Sequence, residues 1–402
     1  MKNKISLIIF YLLFSHCMFA QWTNQFSGTT NFLVTINFPT LDTGYVCDES
    51  YNVRRTTDGG LTWNAYSQIK AYGTYFITKN IGFAYGDSIW KTTNAGTSWI
   101  KVFNFPVPLS ITTMDFANAN IGYASGLSMV ADTVYIFKTL DAGNTWSKVS
   151  VIPSPTSATI DFIDSNTGCL GIDTRILKTT NGGITWSMQH NDTTLYNIEI
   201  WDIHFPTADT GYAVGDIGTI LKTIDKGTTW LPLVNTNTNP IYSVFFTDAN
   251  HGWAVGGNGF FNSGTILYTA DGGNSWSLIS TNNASTCNSV FFPSANVGYA
   301  CGLNGTIMKY EVLGAIFEEN NYLTLSVYPN PSSGKFTITG EKLEMSKCTL
   351  DIYNAMGEKV YSTPGIGHQT SNNVDISSQA KGIYFIKAQS ADKIYTEKVV
   401  VK

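Results

Sequence analysis

Carboxyl and imidazole side chains recur at one place in this sequence, immediately before a repeated phenylalanine. The series is Asn37, Tyr75, Asp115, Asp161, His204, Phe245 and Phe291. Asp115, Asp161 and His204 occupy consecutive units and would form one polar arc if these residues line the inner strands of a ring. Two carboxyls about 6.5–9.5 Å apart suit inverting hydrolysis of a glycosidic bond, one as acid and one as base. The plainer and preferred reading is a solvated or hydrogen-bonded channel wall. His190, His251 and His368 show no metal-ligand spacing, so His204 is a poor candidate ligand. Neither a metal nor another cofactor is expected.

The elements that would hold such an arc follow from a repeat of about 40 residues. One unit reads Thr-x-[Asp/Asn]-x-Gly-x-[Ser/Thr]-Trp, from Thr56, Thr92, Thr139, Thr179, Thr223 and Thr269 to Trp63, Trp99, Trp146, Trp186, Trp230 and Trp276. Its carboxyl and amide residues, Asp58, Asn94, Asp141, Asn181, Asp225 and Asp271, are assigned to turn capping, with glycine accepting positive φ. A second unit is anchored on Gly44, Gly82, Gly122, Gly168, Gly211, Gly252 and Gly298. A phenylalanine stands six residues before each, and an aromatic follows each except at Cys169. Each period then holds four antiparallel strands, as one propeller blade does. The seventh unit lacks a Trp turn, and Trp22 is expected to supply its outermost strand and close the ring.

Composition narrows the function. The formal charge is −5, and Arg54, Arg55 and Arg175 are the only arginines, so nucleic acid is not an expected partner. Lys2, Lys4, an apolar run from Ile5 to Phe14 and Ala20 read as a secretory signal peptide over residues 1–20. No later stretch reaches the ~20 apolar residues of a membrane helix, so no transmembrane segment is expected in the mature chain. Its cysteines are Cys47, Cys169, Cys287, Cys301 and Cys348, with no CxxC. Cys287 and Cys301 lie nearly equidistant from a hairpin turn and are candidates for a cross-strand disulfide; two buried free thiols are the alternative.

The Thr-x-Asp-x-Gly-x-Thr-Trp unit resembles the Asp-box, or BNR repeat, of sialidases and related propellers. Sialidase chemistry implies three arginines from separate blades. Arg54 and Arg55 are neighbours that point to opposite faces of a strand, and that activity is rejected. The joint pattern of Phe205 to Trp230 resembles more closely the seven-bladed propellers of the photosystem II assembly factor type. Residues 325–402 resemble the type A sorting domain of the type IX secretion system of Bacteroidetes. The matching stretches are Tyr328-Pro329-Asn330-Pro331 with Gly334, Tyr353 to Gly357, Val374 to Ser377, Gly382 to Lys387 and Lys398 to Lys402.

The expected architecture is all-β: a seven-bladed propeller over 21–315, a linker at 316–324, and a small Ig-like β-sandwich over 325–402. The sorting-domain resemblance implies recognition by the type IX translocon and a secreted or cell-surface protein. The leading function is a binding module for an extracellular protein or polysaccharide. The alternative is a secreted glycan-active hydrolase using Asp115 and Asp161.

Overall fold

A computed structural model describes residues 19–402 apart from 106–108, 129, 157, 193–197, 260–262, 280–284, 314–324, 341–348, 355–356, 364–370 and 391–392. Residues 1–18 of the expected leader, the expected linker and Cys348 lie outside the described residues. The chain divides into two compact units, residues 1–315 and 316–402.

Among the described residues, the first unit contains seven four-stranded antiparallel sheets. Their first strands are Leu33–Asn37, Gly73–Phe76, Ser110–Phe116, Ala158–Phe162, Ile200–His204, Ile241–Phe246 and Cys287–Ser294. Each first strand touches the next, and Leu33–Asn37 touches Cys287–Ser294, so these strands form a closed inner ring. The seventh sheet draws its outermost strand from the other end of the chain. Phe19–Gln25 pairs with Ile307–Leu313, with Trp22 opposite Tyr310.

The repeated residues explain this geometry as one packing unit. Each repeated phenylalanine lies flat over its own glycine, and a Cβ on Gly44, Gly82, Gly122, Gly168, Gly211, Gly252 or Gly298 would fall inside the ring. The aromatic after the glycine stacks on the phenylalanine of the next sheet, as Tyr123 does on Phe162 at 3.4 Å and Tyr212 on Phe246 at 3.9 Å. Tyr299 on Phe38, at 3.7 Å, closes the circle. Cys169 replaces the aromatic once and packs with Phe205 instead. The tryptophan of each turn unit meets the same phenylalanine edge-on, for example Trp63 on Phe38 at 5.7 Å. Trp22 meets Phe292 in that way at 6.1 Å and 89°, taking the expected seventh place. Such pairs add directional energy to a large apolar burial.

The turn units are held by their own side chains. Asp58 accepts from the backbone N–H of Thr62 at 2.9 Å, from the Thr62 hydroxyl at 2.6 Å and from the Thr56 hydroxyl at 2.7 Å. Asp141, Asp225 and Asp271 repeat the arrangement. Asn94 and Asn181 preserve it by accepting through Oδ1 and donating through Nδ2 to Ser98 and Thr185. Hydrogen bonds from the following hydroxyl residue and backbone hold the Asp141 and Asp271 carboxyls down at about 2.

Cys287 and Cys301 are free, buried thiols, which corrects the disulfide expectation. A β-bulge at Asn288 breaks the register, so Cys301 stands opposite Ser289 while Cys287 stands opposite Gly302. One inserted residue reverses the facing of every side chain beyond it. Cys287 therefore packs with Trp22 and Trp253, and Cys301 packs with Leu33 and Tyr299.

Among its described residues, the second unit has two antiparallel sheets. Leu325–Tyr328, Lys335–Gly340 and Ser371–Asp375 form the first, and Lys359–Thr363, Thr349–Asn354, Gly382–Ser390 and Lys393–Val401 the second. Alternation along Gly382–Ser390 buries Tyr384, Ile386 and Ala388 in a core shared with Phe336, Ile338 and Ile352 of the other strands. Asn330 ties the loop before Lys335 to the last strand, donating to the Lys398 carbonyl at 2.8 Å and accepting from Val400 N–H at 3.0 Å.

Candidate functional site

The inner strands present two rows of side chains to the ring axis. The first row is the one legible in the repeat. Asp115, Asp161 and His204 are brought together on consecutive sheets, but each carboxyl is engaged by backbone. Asp115 accepts from Phe162 N–H at 2.7 Å and from the Tyr75 hydroxyl at 3.1 Å. Asp161 accepts from Phe205 N–H at 2.9 Å. Each acid thus joins its own inner strand to the next. Burial pushes both carboxyls up, Asp161 further because Asp115 and Asp202 also carry charge nearby. Burial lowers the His204 imidazole to about 4, so its 3.7 Å approach to Asp161 is not a charge pair at neutral pH. His204 stacks on Phe245 at 5.1 Å. Its Nε2 and Asn37 Oδ1 have no protein partner, a condition that calls for a polar guest such as water.

The second row lies three and four residues before each phenylalanine and was not singled out from sequence. It lines an open cavity of about 240 Å³, to which all seven sheets or the loops leading into them contribute. Its cause is a recurrent β-bulge. The inner-strand register skips Val34, Thr112, Trp201, Tyr242 and Asn288. All five line the cavity. A bulge leaves one residue outside the ladder and re-aims its side chain; here the same device is used on five of seven sheets.

After three of the bulges, the next residue ties its strand to the neighbouring sheet. Asp202 Oδ2 accepts from Val244 N–H at 3.0 Å, Ser243 from Val290 N–H at 3.3 Å and Ser289 from Ile36 N–H at 3.3 Å. Asp202 Oδ1 also takes Ile203 N–H at 2.9 Å and the Thr159 hydroxyl at 3.3 Å. Burial raises its carboxyl to about 6 against these hydrogen bonds.

At the rim, Trp201 is 38% exposed, the one tryptophan of the ten so open. Its indole N–H donates to Asp216 Oδ1 at 2.9 Å, and the other oxygen of Asp216 accepts from Glu199 N–H at 3.2 Å. Tyr242 meets the indole at 5.6 Å and 70°. Asp173 is committed to the Ser154 and Thr156 hydroxyls and to Arg175 at 2.6 Å. Among the described residues no three His, Cys, Asp or Glu side chains gather to hold a metal ion. No described helix is long and apolar enough to cross a membrane.

With this geometry in hand, residues 326–402 match the family of secretion system C-terminal sorting domains, and residues 138–240 match the photosynthesis system II assembly factor YCF48 family. No curated protein matches the sequence. Among solved structures, a YCF48 bound to a D1 peptide is similar at 19% identity and a TM-score of 0.57, over 73% of this chain and 95% of that one. YCF48 from Cyanidioschyzon merolae gives 18% and 0.56, over 72% of this chain and 98% of that one. The WD40 β-propeller domain of Doa1 gives 11% and 0.54, over 72% and 97%. At these identities the structures speak for the fold. The sorting-domain match implies engagement of a secretion system and a location at the cell surface or in the medium. The chain is therefore an all-β protein in which a β-propeller similar to YCF48 is joined to a secretion-system C-terminal sorting domain.

Proposed function

We propose that this chain is a seven-bladed, secreted or cell-surface propeller that binds an extracellular protein or polysaccharide at the axial mouth of its ring. In this reading residues 1–20 are a signal peptide, and residues 325–402 are recognised by the type IX translocon. The observation that carries the binding assignment is the set of five bulges whose residues Val34, Thr112, Trp201, Tyr242 and Asn288 all line one cavity. Bulges at a common position re-aim side chains at a cost in ladder hydrogen bonds, which ligand recognition accounts for. One YCF48 structure carries a bound peptide, consistent with the use of such a ring to hold a chain segment. The acids of the first row are read as connectors between strands, because Asp115 and Asp161 each accept a neighbouring sheet's backbone N–H.

The test is an array of glycans and peptides probed with the full chain, alongside mass spectrometry of incubated polysaccharides. Binding that weakens in Trp201→Ala without product formation is the expected result. Cleavage products that vanish in Asp115→Asn or Asp161→Asn would replace this reading with a hydrolase.

A further inference from the structure

The cavity is unevenly furnished. Its lining includes the acidic residues Asp173, Glu199 and Asp202, and no lysine, arginine or histidine among the described residues. Arg175 is the neighbouring cation, and its guanidinium is taken by Asp173 at 2.6 Å. Glu199 differs from the two aspartates: its backbone N–H is used by Asp216, while its carboxyl sits between like charges. Burial, then the charges of Asp216 and Asp173, pushes that carboxyl up. Beside it stands the aromatic pair Trp201–Tyr242, with the indole N–H already spent on Asp216. What Trp201 offers a ligand is therefore its π surface, whose negative face attracts cations.

We propose that the axial mouth takes a basic side chain of an extracellular polypeptide, a lysine ammonium or an arginine guanidinium, seated against Trp201 and Tyr242 and paired with Glu199. The inference rests on the reading of the mouth as a ligand site and adds the chemical class. The space agrees: about 240 Å³ falls below the ~300 Å³ at which pockets for drug-sized ligands begin, yet one extended side chain fits. A bound cation also relieves the crowding of Glu199, Asp216 and Asp173, which a neutral sugar hydroxyl does not.

The experiment is titration of the full chain with a tetralysine peptide, a tetraglutamate peptide and chitotetraose, followed by calorimetry and tryptophan fluorescence. Tetralysine is expected to bind and to weaken with added salt, as partly exposed charges are screened, and tetraglutamate is expected not to bind. Glu199→Gln should weaken tetralysine by ~10-fold or more, the scale of one charge-assisted hydrogen bond, and Trp201→Ala by ~3–10-fold. Neither side chain is in the buried core, and matching circular dichroism and melting curves establish that each variant is folded. Glu199→Lys is the second variant and should abolish binding. Tetralysine binding indifferent to all three substitutions, or no tetralysine binding at all, overturns the inference. Chitotetraose binding that depends on Trp201, without tetralysine binding, also overturns it while leaving the mouth a ligand site.

Discussion

Replacing Asp202 by asparagine should remove a pH dependence that the wild-type propeller carries between about pH 4 and 6. Burial raises this carboxyl from 3.8 to about 6, so the folded chain holds the proton more tightly than the unfolded chain does. Folding therefore takes up a proton in that window, and stability contributed by the neutral acid is lost as pH rises through it. A shift of about two units at 1.36 kcal/mol each comes to about 3 kcal/mol, an upper bound where solvent reaches the cavity. Asparagine keeps one oxygen for Val244 N–H but cannot also accept from Ile203 N–H, both of which Asp202 does now. That loss costs about 1 kcal/mol at every pH, and the slope is the readout. Urea unfolding of both proteins at pH 4, 5, 6 and 7 gives the difference in stability directly. It should move by up to about 3 kcal/mol in favour of the variant between pH 4 and 7. A difference that stays flat across the series refutes the assignment of a raised, proton-holding carboxyl at this position.

His204 should act with the opposite sign: its imidazole, lowered to about 4, makes the fold lose stability as pH falls from about 6.5 towards 4, and His204→Phe should flatten that limb of a pH-melting curve. Gly298→Ala places a Cβ against the Phe292 ring, which is already packed by Trp22 and Trp253; overpacking of this kind costs about 1–3 kcal/mol, visible as a lower melting temperature. Trp22→Ala should cost about 3–5 kcal/mol and expose the strand Ile307–Leu313 as an edge, read by faster proteolysis of the propeller. Alkylation of denatured, unreduced protein should label both Cys287 and Cys301, and a peptide pair linked through them would contradict the register described above.

How much was legible followed from what each residue packs against. Phenylalanine and tryptophan recur because they meet edge-on in every sheet, and glycine recurs because only a residue without a Cβ leaves room for the phenylalanine ring, so the ring and even the role of Trp22 could be read from spacing. The row containing Asp115 and Asp161 was visible for the same reason, one residue from a fixed anchor. Its partners were not, because Phe162 N–H and Phe205 N–H belong to neighbouring sheets and depend on how sheets stack. The cavity row escaped notice because Val34, Tyr72, Thr112, Ala158, Trp201, Tyr242 and Asn288 share no chemical type. Val34 and Ala158 are buried in apolar clusters while Trp201 is exposed, so no shared packing contact imposes a common residue. The same bulge that turns Asn288 inward also defeated the counting of Cys287 against Cys301, since strand arithmetic assumes an unbroken alternation.

The pairing of Phe19–Gln25 with Ile307–Leu313 makes the propeller a circle fastened by hydrogen bonds rather than by a peptide bond. Where a circle is cut is a matter of convenience, so a chain rejoined from the end of Ile307–Leu313 to Gln21, the first residue after the proposed signal peptide, and reopened in an exposed loop between two other sheets should regain the same fold. The natural cut sets Gln21 opposite Glu311, so the two ends of the circle clasp within one sheet and each holds the other in place.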